Sequence, residues 1–287
     1  MVTKLYILAK DILNKADLEQ FNGQIIETTH KYDADAVFIS VDTDLDIRLF
    51  KSAKYIVCPS TGIDHIPDPF NQKIFHLDTT TDYLFLRDNI WSTAEHTLGL
   101  ILSLLRNYRI EFEKTIWARS GIGQTLNGKK IGIVGMGRIG GQMSRITEKL
   151  GMWPYAITSK DAKAISFVDI ASIHLGLNEE TKNYIDENFI RRMKRGSYLI
   201  NTSRADIVDE EAIVEALQDS HINGYAADVC LVEKEKESPI WNNRHRFNIL
   251  LTPHIGGYTI EDTKKTSAFV LRKLLEERKT EIISSKP

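Results

Sequence analysis

Lys130-Ile131-Gly132-Ile133-Val134 runs directly into Gly135-Met136-Gly137-Arg138-Ile139-Gly140, and a helix-compatible stretch follows to Leu150. An apolar strand, a G-x-G-x-x-G turn and a helix start, in that order, give each glycine a separate job. Gly135 permits the tight turn, Gly137 lets backbone approach a pyrophosphate, and Gly140 lets the helix pack on the strand. The helix N-terminus adds N–H donors and the positive end of its dipole. The spacing alone arises easily by chance. Its context favours a dinucleotide loop over an ordinary glycine-rich βα turn.

Working outward, short apolar runs alternate with amphipathic stretches almost from end to end. They are 4–8, 36–40, 55–58 and 73–77 before the glycine loop, then 130–135, 154–158, 169–175, 197–202, 225–229 and 248–252. Strands alternating with helical spacers predict parallel sheets built from βαβ units, and runs apolar on both faces predict strands covered on each side. The two series are separated by the longest helical candidate, 92–109, with Ser92 placed to cap it and Leu98, Ile101, Leu102 and Leu105 at helical spacing. A final helix is expected over 261–278. These features predict an α/β protein of two doubly wound parallel-sheet domains.

The 287 residues suit one large or two medium domains, and 42% hydrophobic against 26% charged residues is enough to bury a core, which excludes a disordered chain. With 37 Lys+Arg against 39 Asp+Glu, no positive excess exists to release counterions from a phosphate backbone, so no nucleic-acid partner is expected. Two distant cysteines, Cys58 and Cys230, are too few for a disulfide framework and fit a reducing compartment. The N-terminal stretch reaches Asp11 without a small-residue cleavage site, and the apolar segment 98–105 is far below membrane-span length. The expectation is a cytoplasmic protein with no membrane partner and no metal.

Segments quoted in order now carry a resemblance. They are 60–66 (STGIDHI), 94–97 (AEHT), 117–119 (WAR), the glycine loop, 193–196 (MKRG), 200–204 (INTSR), 208–210 (VDE), 227–229 (ADV), 238–241 (SPIW) and 252–257 (TPHIGG). This set resembles the D-isomer-specific 2-hydroxyacid dehydrogenases over nearly the whole chain. The resemblance implies a Rossmann dinucleotide-binding domain, 92–260, inserted in a flavodoxin-like substrate domain, 1–91 plus 261–287. It also implies catalysis in the cleft between them and a homodimer joined through the cofactor domain.

For such a chemistry the substrate carboxylate must be held, the carbonyl polarised and the developing alkoxide protonated. The resemblance puts Arg204 at the substrate anchor, His254 at the proton donor and Glu233 at the acid that raises and orients the histidine. Each alone has a blander reading: a surface arginine, a structural cap, and a carboxylate in the solvated run VEKEKE. As a matched set behind a glycine loop they favour catalysis. The glutamate argues for hydroxy-acid chemistry, because formate dehydrogenases of this fold have glutamine there. Thr61 and Gly62 match the loop whose N–H groups meet the substrate carboxylate. The cofactor set implied is Gly135, Gly137, Arg138, Ile139, Gly140, Thr158, Ser159, Lys160, Thr202, Asp228, His254 and Gly257, with Asp228 accepting from the nicotinamide amide. His174, His65 and His96 are read as structural, and the cysteines as core residues.

The sequence departs from the family pattern in three places. The acid expected after the second strand is replaced by Thr158-Ser159-Lys160, which favours NADP over NAD, although Asp161 could restore NAD. Asp206 stands where glycine is common and could compete for Arg204. The segment 79–89 is unusual, so Phe85 or Arg87 could shape substrate choice, with a packing loop as the alternative. The reading is a reductase of a small 2-oxo acid, of glyoxylate or hydroxypyruvate type, giving the D-2-hydroxy acid. The alternatives are a corepressor-like dinucleotide sensor and a phosphoglycerate dehydrogenase, the latter weakened by the lack of a C-terminal regulatory extension.

Overall fold

Five short strands, β1 (Thr3–Ile7), β2 (Ile25–Glu27), β3 (Ala36–Phe38), β4 (Tyr55–Val57) and β5 (Lys73–Phe75), form a parallel sheet in the order β2-β1-β3-β4-β5. The computed structural model describes residues 2–40, 43, 50, 52–63, 66, 72–112, 121–158, 162–231 and 237–284. Contacts divide the chain into one unit of Met1–Ile90 with Tyr258–Pro287 and a second of Trp91–Gly257.

In the first unit, alternate strand residues feed two layers. Leu5, Ile7, Ala36, Phe38, Tyr55 and Val57 face one core, and Val37, Ile39, Ile56 and Cys58 the other. The final helix belongs here, and it outruns its sequence estimate, spanning Ile260–Ser284 (α8). Its Ser267, Val270, Leu271 and Leu274 are buried at helical spacing, as an apolar stripe requires. Lys273 on α8 donates to Asp82 Oδ2 at 2.8 Å and to the His76 carbonyl at 3.2 Å. That pair pins the turn ahead of α1 (Tyr83–Asn89). Phe85 stacks on Phe269 with ring centroids 3.9 Å apart, while Arg87 pairs with its neighbour Asp88 at 2.7 Å. Phe85 is therefore a packing residue of the first core, the plainer of the two readings for this segment.

The second unit carries a six-stranded parallel sheet, β11-β10-β9-β8-β6-β7, from β6 (Lys130–Val134), β7 (Trp153–Ile157), β8 (Ile170–Ile173), β9 (Ser197–Asn201), β10 (Ile222–Ala227) and β11 (Ile249–Leu251). Period-two alternation sorts its residues cleanly. Ile131, Ile133, Ile170, Tyr198, Ile200 and Ala226 face α2 (Ser92–Leu105) and α4 (Arg138–Lys149). Val134, Ala171, Ile173, Leu199, Tyr225 and Ala227 face α5 (Glu187–Arg192) and α6 (Glu210–Gln218). The strand order reverses between β6 and β8, the switch point where open α/β sheets bind ligands.

Three local expectations need correction. Ser92 does not cap α2, because it is the first helical residue and Trp91 occupies the cap position without a side-chain bond. The helix stops at Leu105 instead of 109 because Asn107 turns left-handed (φ 53°), and a separate short helix, α3 (Tyr108–Phe112), follows. Strand β2 went unpredicted: it has three residues on a sheet edge, and only Ile25 is buried.

Candidate active site

All strands of the second sheet are parallel, so the residues that follow their C-terminal ends share one edge of it. Gly135 follows β6, Thr158 follows β7, His174 follows β8, Arg204 lies just past β9, Asp228 follows β10 and His254 lies just past β11. These connections converge from six points of the chain because the parallel sheet leaves them no other edge.

The glycine loop has the shape a pyrophosphate requires. Gly135 sits at φ 96°, and a Cβ there would fall 2.7 Å from the His174 carbonyl oxygen. At Gly140 a Cβ would lie 2.0 Å from the Gly135 carbonyl oxygen and 3.0 Å from Ile133, so only glycine allows this approach of α4 to β6. Gly137 is different. Nothing lies within 4 Å of its would-be Cβ, and it heads the 12-residue α4 without a side-chain cap. An open backbone position before an uncapped helix N-terminus is a cradle for phosphate oxygens, so these residues fit a dinucleotide. Arg138 opens α4, half-buried, while Ile139 packs into the core behind it. Thr158 is exposed just past β7; Ser159, Lys160 and Asp161 lie outside the described residues.

Beside this loop, His174 Nε2 is 2.8 Å from Ser172 Oγ, and its buried Nδ1 meets no partner among the described residues. Burial pushes its imidazole down to about 3, so the ring is neutral, as a packing histidine would be.

Past β9, Asn201 organises the turn that presents Arg204. Its side chain, wholly buried, donates to the Arg204 carbonyl at 2.9 Å and accepts from Ser203 N at 3.0 Å. Ser203 Oγ donates to the Ile173 carbonyl at 2.8 Å, tying this turn to the end of β8. Arg204 is half-buried, and its Nη1 donates to the Ser203 carbonyl at 2.8 Å. Thr202 Oγ1 lies 2.9 Å from Thr97 Oγ1. The Thr97 proton goes to the Thr93 carbonyl at 2.7 Å, so Thr202 is the donor of that pair.

Past β10, Asp228 is 3% exposed and collects four donors. Oδ1 accepts from Thr252 Oγ1 at 2.6 Å and Ile255 N at 2.9 Å, and lies 3.3 Å from His96 Nε2; Oδ2 accepts from Gly256 N at 2.7 Å. Burial alone would raise its carboxyl, but the bonds from His96, Thr252 and Gly256 outweigh it and hold the group below the ordinary carboxylate range. The carboxylate, which the resemblance assigns to a nicotinamide amide, also holds the backbone turn 252–256. Because the Thr252 hydrogen goes to Asp228, its oxygen accepts from His96 Nε2 at 2.9 Å. A Cβ at Gly256 would sit 2.7 Å from Asp228 Oδ2, so the turn needs glycine. Gly257, next along, is exposed and open.

His254 rides on this turn. Its N–H bonds the Asp228 and Thr252 carbonyls, both at 3.0 Å, and its backbone is left-handed at φ 55° with the residue exposed. An exposed non-glycine residue held there is the kind of local strain found at working sites.

In the first unit, Thr61 and Gly62 follow the C-terminal end of β4, where Ser60 Oγ donates to the Gly62 carbonyl at 2.7 Å. Glu233 and His65 lie outside the described residues. Sequence reasoning gave no role to Asn201 or Thr252, and it treated His96 as structural although the ring sits against Asp228. All three were visible only as members of quoted segments.

A glycine loop at the switch point of a parallel sheet defines a dinucleotide-binding α/β protein. The family model described as D-isomer specific 2-hydroxyacid dehydrogenase, NAD binding domain, matches residues 98–256. A glyoxylate reductase from Thermofilum pendens is 32% identical over 281 residues, covering 87% of this chain and 80% of that protein. The chain belongs to the D-isomer specific 2-hydroxyacid dehydrogenases. A D-3-phosphoglycerate dehydrogenase from Haemophilus influenzae is 39% identical over 195 residues, 60% of this chain; the match spans about half of that protein's length, 47%. The apo-structure of D-lactate dehydrogenase from Escherichia coli shares the fold, with a TM-score of 0.79 at 23% identity over 96% of this chain and 97% of that one.

The His174 environment sets a pH dependence. An unfolded chain protonates this ring near 6.5, the folded one only near 3, so between these values unfolding takes up a proton and stability falls as pH falls. Urea midpoints measured from pH 7.5 down to pH 5 should drop, and His174→Gln should flatten that slope; an unchanged slope refutes the assignment.

Proposed function

We propose that the chain is an NAD(P)-dependent reductase of a small 2-oxo acid, of glyoxylate or hydroxypyruvate type, giving the D-2-hydroxy acid. What carries this reading is one observation: the Arg204 turn and the exposed, left-handed His254 lie on the same sheet edge as an open phosphate cradle. Bound nicotinamide cofactor supplies the hydride. The planar guanidinium of Arg204 suits a carboxylate, with charge-assisted hydrogen bonds that orient the substrate and polarise its carbonyl. His254 gives its proton to the carbonyl oxygen as negative charge develops there, and Glu233 favours the imidazolium that does so. Asp228 fixes the backbone turn from which His254 works. Thr61 and Gly62 are proposed to add N–H donors to the substrate carboxylate.

Replacing His254 by Ala should leave NADH binding within about twofold and lower turnover by about 10²–10⁴, the usual worth of a placed general acid. The measurement is cofactor absorbance against glyoxylate, hydroxypyruvate and pyruvate, with 3-phosphoglycerate in the oxidative direction. Full activity in the variant overturns the assignment. Tight NADH binding with no turnover of any acid by the parent protein favours the dinucleotide-sensor reading instead.

The Thr158-Ser159-Lys160 segment, which carries no acid in place of the usual carboxylate, supports a preference for NADP. The kcat/KM with NADPH is expected to exceed that with NADH for the same acid; equal or better values with NADH reject it.

We also propose a cytoplasmic homodimer. Both cysteines are buried and unbridged, and no helix among the described residues is long and apolar enough to cross a membrane. The large apolar side chains of Leu102, Tyr108, Ile110, Phe112 and Ile122 stay exposed, Phe112 at 79% and Ile122 at 98%. Sedimentation should give twice the chain mass, and Ile122→Arg should shift it toward the monomer; a monomeric parent protein disposes of the idea.

A further inference from the structure

The loop that leaves β4 engages its carbonyl groups and leaves its N–H groups unused. Three carbonyls have donors: that of Ser60 accepts from Leu77 N at 3.0 Å, that of Gly62 from Ser60 Oγ at 2.7 Å and that of Ile63 from Ile66 N at 3.0 Å. The N–H groups of Thr61, Gly62 and Ile63 meet no hydrogen-bond partner among the described residues. Successive unpaired N–H groups of this kind are what a small anion binds.

Two of the three carbonyls are held by backbone, as ordinary loop packing provides. The third, that of Gly62, depends on a side chain. Ser60 has one hydroxyl hydrogen and gives it to Gly62, so at the 3.1 Å contact between Cys58 Sγ and Ser60 Oγ the thiol is the donor. Cys58 is wholly buried just past β4, and burial pushes its thiol up, which keeps the proton that this bond needs. A donor chain thus runs from the Cys58 thiol through the Ser60 hydroxyl to the Gly62 carbonyl.

That chain also fixes a donor. In a planar trans peptide the C=O and the following N–H point in opposite directions. Turning the Gly62 oxygen toward Ser60 therefore turns the Ile63 N–H away from it. In the same way the Leu77 bond to the Ser60 carbonyl sets the Thr61 N–H. We propose that Ser60 is a positioning residue for the substrate carboxylate: its hydroxyl keeps the Gly62 carbonyl off the anion and so presents the Ile63 N–H to it as a further donor. The inference rests on the reading above, in which this loop meets the substrate carboxylate. Without the hydroxyl, the peptide plane is free to turn and put a negative oxygen where a donor stood. Such a change weakens ground state and transition state alike, so it registers in KM and not in kcat.

The test uses the full chain with NADPH and glyoxylate. Ser60→Ala should raise KM about tenfold or more, with kcat within about threefold and the NADPH Kd within about twofold, because a hydrogen bond to a charged group is worth about that much. Binding of oxamate, which keeps the carboxylate, should weaken by a similar factor. Ser60→Thr retains the hydroxyl and should hold KM within about threefold of the parent. An unchanged KM in Ser60→Ala overturns the proposal, as does a loss that appears in kcat instead, or an equal rise in Ser60→Thr. Thr61→Pro deletes a neighbouring N–H that no hydroxyl positions. If it leaves KM and oxamate binding unchanged, the loop does not hold the carboxylate and the underlying reading fails. A KM raised in Thr61→Pro with Ser60→Ala silent overturns the Ser60 inference alone. Should Ser60→Ala fail to fold, Ser60→Gly also removes the hydroxyl and enters the same comparison.

Discussion

The parallel register of the second sheet is the constraint on which everything else depends. With six strands running one way, each crossover must return to the opposite end before the next strand begins. Every residue that leaves a strand therefore leaves it on one edge. An open phosphate loop, an arginine and a histidine that together span more than a hundred residues of sequence become neighbours of one edge without any contact being required among them. The hydrophobic alternation that fixes the faces of β6, β8, β9 and β10 is thus also what fixes the site.

On that edge two buried carboxylates shape backbone. Asp228 gathers the 252–256 turn, and Glu210, at the start of α6, accepts from Leu231 N and Ser238 Oγ. Each is surrounded by donors, the condition under which a buried charge is tolerable. Deleting either would strand several N–H and O–H groups at once, so both should behave as units with their donors. The neutral His174 works in the opposite sense, filling space beside the glycine loop without bringing charge to it.

Much of this was legible in the sequence because it is local. The glycine loop, the buried strands of the second sheet and the helix at the end of the chain announce themselves within windows of five to twenty residues. Ser92 misled because a serine ahead of an apolar helix signals a cap, whereas packing had already extended the helix through it. Strand β2 was silent because three residues on an edge make no periodic pattern. The networks were unreadable for a different reason: His96 meets Thr252 across 156 positions, and Leu231 meets Glu210 across 21. Such bonds depend on where the sheet delivers each turn, and no spacing rule encodes that. Arg204 and His254 came from resemblance, with the geometry supplying their common edge.

The left-handed backbone at position 254 narrows what may stand there. Asparagine, aspartate and glycine enter that conformation most cheaply, and none of them carries a proton at neutral pH as an imidazole does. A change at this position to one of them would keep the turn, the sheet and the nucleotide cradle while removing the proton donor proposed above. A lineage could lose chemistry in one substitution and keep its architecture whole, leaving a well-folded reporter of cellular redox state as the descendant.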